Sequence, residues 1–125
     1  MNPTLPVRRM LLLGVLGLAA AGSTPAPGPA VHFGLARSAP ADKATVHALA
    51  EIRLWFPEAP AEGTVSVRLL DGSGAPVPIA DPVRDAADGK VISVQVSQPP
   101  APGQYRVAWR GMGADGHVVR GEFTF

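Results

Sequence analysis

Residues 104–110 read Gln-Tyr-Arg-Val-Ala-Trp-Arg. Successive side chains of a strand point to opposite faces, so this stretch predicts a strand with Tyr105, Val107 and Trp109 turned inward and Arg106, Ala108 and Arg110 on the other side. The same period recurs outward along the chain. Residues 119–125 end with Phe123 and Phe125 on one face. Residues 90–96 turn Ile92, Val94 and Val96 to one side, and residues 64–70 turn Val65, Val67 and Leu69 inward. Residues 51–56 set Ile52, Leu54 and Phe56 against Glu51, Arg53 and Trp55. Pro76 and Pro78 confine residues 77–80 to a short edge strand, because proline cannot donate to a ladder. Adding a short strand at residues 33–37 gives about seven strands joined by turns such as Asp71-Gly72-Ser73-Gly74, a spacing typical of β-sandwiches. The reading is an all-β fold of two antiparallel sheets sharing one apolar core. Residues 41–50 have a helix-like composition, but the preceding Pro40 and a weak apolar stripe favour a turn or loop there. Trp55 and Trp109 are both assigned to core or inter-sheet packing.

The chain has 125 residues, 46% hydrophobic and 17% charged, with 14 Gly and 14 Pro. That length suits one small domain. With no cysteine, disulfides, thiolate metal sites, iron–sulfur clusters and cysteine nucleophiles are excluded. The blue-copper thiolate site is excluded with them. No nucleophile elbow surrounds any serine, and no glycine-rich phosphate loop opens a helix. The reading is therefore not an enzyme.

Arg8 and Arg9 precede an apolar run, MLLLGVLGLAAA, at residues 10–21. A basic start, a dozen apolar residues and then small residues predict a secretory signal, too short for an ordinary membrane span. Cleavage fits after Ala21 or after Ala30, so residues 1–30 are read as signal peptide and Pro/Ala/Gly-rich leader, and 31–125 as the domain. The adjacent arginines leave both general secretion and twin-arginine export open. Without Arg8 and Arg9, nine basic residues face ten acidic ones. That balance offers no electrostatic case for nucleic acid or an anionic membrane.

Three histidines remain: His32, His47 and His117. In Gly113-Ala114-Asp115-Gly116-His117, a carboxylate and an imidazole two residues apart can converge on one ion if the loop curls, and Gly116 permits the turn. The same segment also reads as an ordinary turn in which Asp115 caps its own backbone. A terminal His32 would offer an amine and an imidazole. With Asp115 and His117 that makes a nitrogen-rich N,O set suited to Cu(II). His47 has no partner in sequence and is assigned to the surface. Met112 is the single methionine beyond the leader, too few thioethers for a soft Cu(I) site.

Together these segments resemble the CopC family of periplasmic copper-resistance proteins over nearly the whole of residues 31–125. The matching pieces are His32 followed by Leu35-Ala36-Arg37-Ser38-Ala39-Pro40-Ala41, then Glu51-Ile52-Arg53-Leu54-Trp55-Phe56 and the strand and turn at 67–74. They continue with Pro102-Gly103-Gln104-Tyr105-Arg106-Val107-Ala108-Trp109-Arg110, Asp115-Gly116-His117 and Gly121-Glu122-Phe123-Thr124-Phe125.

The resemblance implies a seven-stranded Greek-key β-sandwich or barrel, Ig-like or cupredoxin-like. It implies a Cu(II) site made by the amine and imidazole of a mature N-terminal His32 with Asp115 and His117. Glu58, in Phe56-Pro57-Glu58, would lie beside the ion. It implies an exported, periplasmic or secreted monomer that buffers or delivers copper, with a CopD-type membrane copper transporter as a partner. Pro57 and Val118 depart from the family pattern, and the methionine-rich Cu(I) site of some members is missing. Freeing the His32 amine requires cleavage after Val31, whereas cleavage after Ala30 leaves Val31 first. The alternative is a metal-free Ig-like interaction module, which has no reason to bring His32, Asp115 and His117 together. A copper enzyme using a terminal-His brace ranks last.

Overall fold

A computed structural model describes residues 33–125. The leader assigned to residues 1–30, and His32, lie outside the described residues. Eight strands form two antiparallel sheets. They are β1 (Arg37–Ala39), β2 (Glu51–Trp55), β3 (Ser66–Asp71), β4 (Pro76–Val77), β5 (Val83–Arg84), β6 (Val91–Gln95), β7 (Tyr105–Met112) and β8 (Val118–Thr124). One sheet has the order β1-β2-β6-β5 and the other β4-β3-β7-β8. Two open sheets make this a sandwich and not a closed barrel. The chain changes sheet between β2 and β3, between β4 and β5, and between β6 and β7, so β2 pairs β6 and β3 pairs β7 across long sequence gaps. No helix forms among the described residues, and residues 41–50 are turn and coil.

The alternating side chains meet between the sheets. Ile52, Leu54, Val94 and Val107 are fully buried, Leu69 and Ile92 nearly so. Phe56, Trp109 and Phe123 close the core, with Tyr105 and Phe125 packed against it. These are the inner faces expected of 51–56, 64–70, 90–96, 104–110 and 119–125.

Three expectations change. The first strand begins at Arg37, not Phe33, because Phe33 leaves the strand direction to bury its ring. An eighth strand, β5, pairs two residues with β6. At that length no alternation exists to announce it. Trp55 is not in the core: it stands on the outer face of its sheet with the Arg37 guanidinium 3.8 Å from its ring centroid and that of Arg53 at 5.9 Å. A cation over an indole face stabilises such a half-buried ring.

Candidate metal centre

The β7–β8 hairpin carries the site. Its strands pair from Arg106↔Thr124 to Met112↔Val118, and residues 113–117 turn the corner. The Gly113 N–H donates to the His117 carbonyl at 3.1 Å and the Gly116 N–H to the Gly113 carbonyl at 3.0 Å. Gly116 has φ 82°, a left-handed conformation that glycine adopts without a Cβ clash. That turn brings Asp115 and His117 onto one side. Asp115 Oδ1 accepts the His117 backbone N–H at 3.0 Å, and Oδ2 meets the His117 Nδ1 at 2.8 Å. The backbone cap of the second sequence reading is present, and a carboxylate–imidazole hydrogen bond stands beside it.

The pair is solvent-facing, with the His117 and Asp115 side chains 83% and 63% exposed. The hydrogen bond to the Asp115 carboxylate, helped by its charge, raises the His117 pKa above the ordinary imidazole value. The same hydrogen bond, with the backbone N–H of His117, lowers the Asp115 pKa. Because Nδ1 is engaged, Nε2 is the nitrogen left open. A ligating histidine commonly has its other nitrogen held by a carboxylate in this way, which fixes ring orientation. An ion on Nε2 would lie across the imidazole ring from Asp115, so for Asp115 and His117 to bind one ion together their Nδ1–Oδ2 hydrogen bond must open.

Gly113 shows what surrounds the loop. A Cβ there would lie 2.9 Å from Glu58 Oε1, 3.0 Å from the Phe33 Cβ and 3.2 Å from Asp115 Oδ1. Glu58, Asp115 and the first described residue thus converge on one backbone position that only glycine fits. Phe33 also lies over Gly111, its ring carbons 3.2 and 3.3 Å from where a Cβ would stand. It is 9% exposed and stacks on Phe56, which meets Trp109 edge-on at 5.5 Å. Sequence reasoning missed Phe33, Gly111 and Gly113. Their signal was the inward pair of glycines in Gly111-Met112-Gly113, room left on β7 for a ring from elsewhere.

Of the expected ligands, the structure joins Asp115 to His117 and brings Glu58 to the same glycine. His32 lies outside the described residues. His47 is exposed. No group of three or more metal-ligating side chains is assembled among the described residues. Residues 33–125 bring Asp115 and His117 into contact and set the Glu58 carboxylate against Gly113 beside them.

Comparison with known proteins agrees with this architecture. Residues 35–125 match the CopC domain family. The chain is 34% identical over 99 residues to copper resistance protein C of Xanthomonas campestris pv. juglandis, covering 75% of this chain and 78% of that one. It is 38% identical over 53 residues to copper resistance protein C of Escherichia coli, covering 42% of each. Among solved structures, CopC from Methylosinus trichosporium OB3b superposes with a TM-score of 0.68 at 26% identity, covering 75% of this chain and 91% of that one. PcoC, a methionine-rich copper resistance protein from Escherichia coli, superposes with a TM-score of 0.68 at 29% identity, covering 75% and 96%. The β-sandwich, its register and the family match over residues 35–125 lead to one assignment: this chain belongs to the CopC family of copper resistance proteins.

Proposed function

We propose that the protein is an exported Cu(II) carrier, not an enzyme, which holds one ion at the β7–β8 turn and buffers it or passes it on. His32 supplies its free amine and imidazole, His117 an imidazole nitrogen and Asp115 an oxygen, while Glu58 stands beside the ion. The observation that carries this reading is the crowding at Gly113. Phe33 is fixed beside Asp115 and Glu58, and consecutive Cα atoms are only about 3.8 Å apart. In the proposed site His32, one residue before Phe33, is the ligand supplied from that end of the chain. Nitrogen donors with a carboxylate suit Cu(II), which heads the divalent affinity order. The names of the relatives, copper resistance proteins, support the same cargo. The protein works as a periplasmic or secreted monomer, with a CopD-type membrane transporter as the recipient or donor of the ion.

The test is Cu(II) titration of the exported protein by chelator competition, with the mass of its N-terminus measured on the same sample. Wild type binds one Cu(II). His117→Ala weakens binding by orders of magnitude with an unchanged fold, since the side chain is exposed. Acetylating the N-terminal amine weakens it again. Equal affinity in His117→Ala and wild type overturns the site. Equal affinity in blocked and free protein overturns the terminal-amine donor.

A further inference from the structure

The near-zero net charge conceals a strongly polarised surface. Register places Ser66, Arg110 and Arg120 in one row across β3, β7 and β8, and Arg68, Ala108 and Glu122 in the next. Leu70, Arg106 and Thr124 form a third row. Adjacent strands lie about 4.8 Å apart and alternate residues about 6.8 Å apart. Four arginines and one glutamate therefore share a flat outer face of about 10 by 14 Å. All four arginines are exposed. Glu122 contacts Arg106, with 3.7 Å between Nη1 and Oε2. Arg68, Arg110 and Arg120 enter no ion pair among the described residues.

Stability does not account for this grouping. Arg110 sits directly opposite Arg120, and like charges facing each other across a strand pair are destabilising. Four of the nine basic residues in 33–125 occupy this face with one of the ten acidic ones. Between the three free arginines, Ser66 and Ala108 line a shallow depression of about 410 Å³.

We propose that this face docks the domain on an anionic phospholipid bilayer, the guanidinium groups of Arg68, Arg110 and Arg120 pairing with headgroup phosphates. Guanidinium is planar and bonds phosphate in a two-pronged manner. The centres of protein–protein interfaces are poor in charge and rich in aromatic anchors. Here the centre is Ala108 ringed by arginine, while Trp109 and Tyr105 turn to the other side. A fluid headgroup layer demands only cations on a level surface. Attachment of this kind is reversible and salt-sensitive, because the attraction fades within a screening length of about 8 Å at physiological salt. The proposal rests on the arginine placement alone and stands whether or not the copper site is as described above.

The experiment is co-sedimentation of the exported protein with vesicles of phosphatidylglycerol and phosphatidylcholine, or of phosphatidylcholine alone. One variant carries Arg68→Gln, Arg110→Gln and Arg120→Gln. A second carries Arg37→Gln, Lys43→Gln and Lys90→Gln, which removes the same charge from elsewhere. All share one N-terminal segment, so its contribution cancels, and circular dichroism confirms folding. Wild type should prefer the anionic vesicles and lose that preference as salt rises. Each arginine near an anionic surface contributes about five-fold, so the first variant should bind on the order of 100-fold more weakly. The second should stay within about three-fold of wild type. Inorganic phosphate should displace wild type no better than chloride at equal ionic strength. Equal losses in both variants, no preference for anionic vesicles, or displacement by phosphate specifically would overturn the proposal. So would retention on immobilised polyglutamate without vesicle binding, which would assign the face to an acidic protein.

Discussion

Phe33 stacks on Phe56 with ring centroids 5.2 Å apart and planes 6° from parallel. That contact joins the start of the described chain to the residue just after β2, next to Pro57 and two residues from Glu58. It seats Phe33 over Gly111 and Gly113, beside Asp115. The stack thereby holds the Phe33 backbone next to Asp115 and Glu58.

Replacing Phe33 by Leu should separate that positioning from burial. Leucine retains most of the apolar contact but not the flat stack. Melting should shift by only a few degrees, while Cu(II) affinity falls about ten-fold, the lower end of what lost support around a metal ligand costs. Chelator competition and thermal melts on one preparation check this. Unchanged affinity would show that Phe33 is core filling and nothing more.

The Asp115–His117 pair sets a pH signature in the metal-free protein. His117 has a raised pKa, so its contribution to holding the turn is complete below the ordinary imidazole value of about 6.5 and is lost as pH rises through the raised one. Asp115 has a lowered pKa, so its contribution is present above the ordinary carboxylate value and is lost as pH falls through the lowered one. The turn is best held between these limits. In an NMR titration the His117 midpoint should drop toward about 6.5 in Asp115→Asn, since the neutral amide removes the principal cause of the shift. Because ligand nitrogens must lose their protons to bind metal, wild-type Cu(II) affinity should also fall steeply from about pH 8 to about pH 5. Identical His117 midpoints in the two proteins would rule out the pairing in solution.

Trp109 and Gly121 face each other across β7 and β8, and a Cβ at 121 would lie 2.7 Å from Cε2, Cζ2 and Nε1 of the indole. The ring is rigid and 7% exposed, so it has little room to yield. Gly121→Ala should therefore destabilise by about 1–3 kcal/mol through overpacking, and Trp109→Ala by about 3–5 kcal/mol through loss of a buried aromatic. In the Trp109→Ala background the alanine at 121 should cost close to nothing, because contacting residues are not additive. Denaturant melts of the four proteins test this, and additive losses would mean the ring is not held over Gly121.

Alternation alone specifies the strands with a stretch of five residues or more and the face each buries, and Gly116 marks a turn between Asp115 and His117. These are local properties: period-2 alternation reports which side chains meet the core, and a glycine between Asp115 and His117 reports a tight turn. The tertiary structure alone decided the rest. β5 is two residues long and exists only because β6 pairs with it. Alternation already set Trp55 beside Glu51 and Arg53, away from the inner face, but that Arg37 from β1 covers its ring follows only from the pairing of β1 with β2. Phe33 could not be seen to cover Gly111 and Gly113, which are nearly eighty residues away in the chain. The four arginines lie on three strands from two distant parts of the chain, and net charge says nothing of where they gather. Neighbours across a sheet are chosen by pairing between distant segments, and that choice is made by the folded chain as a whole, not by any stretch of it.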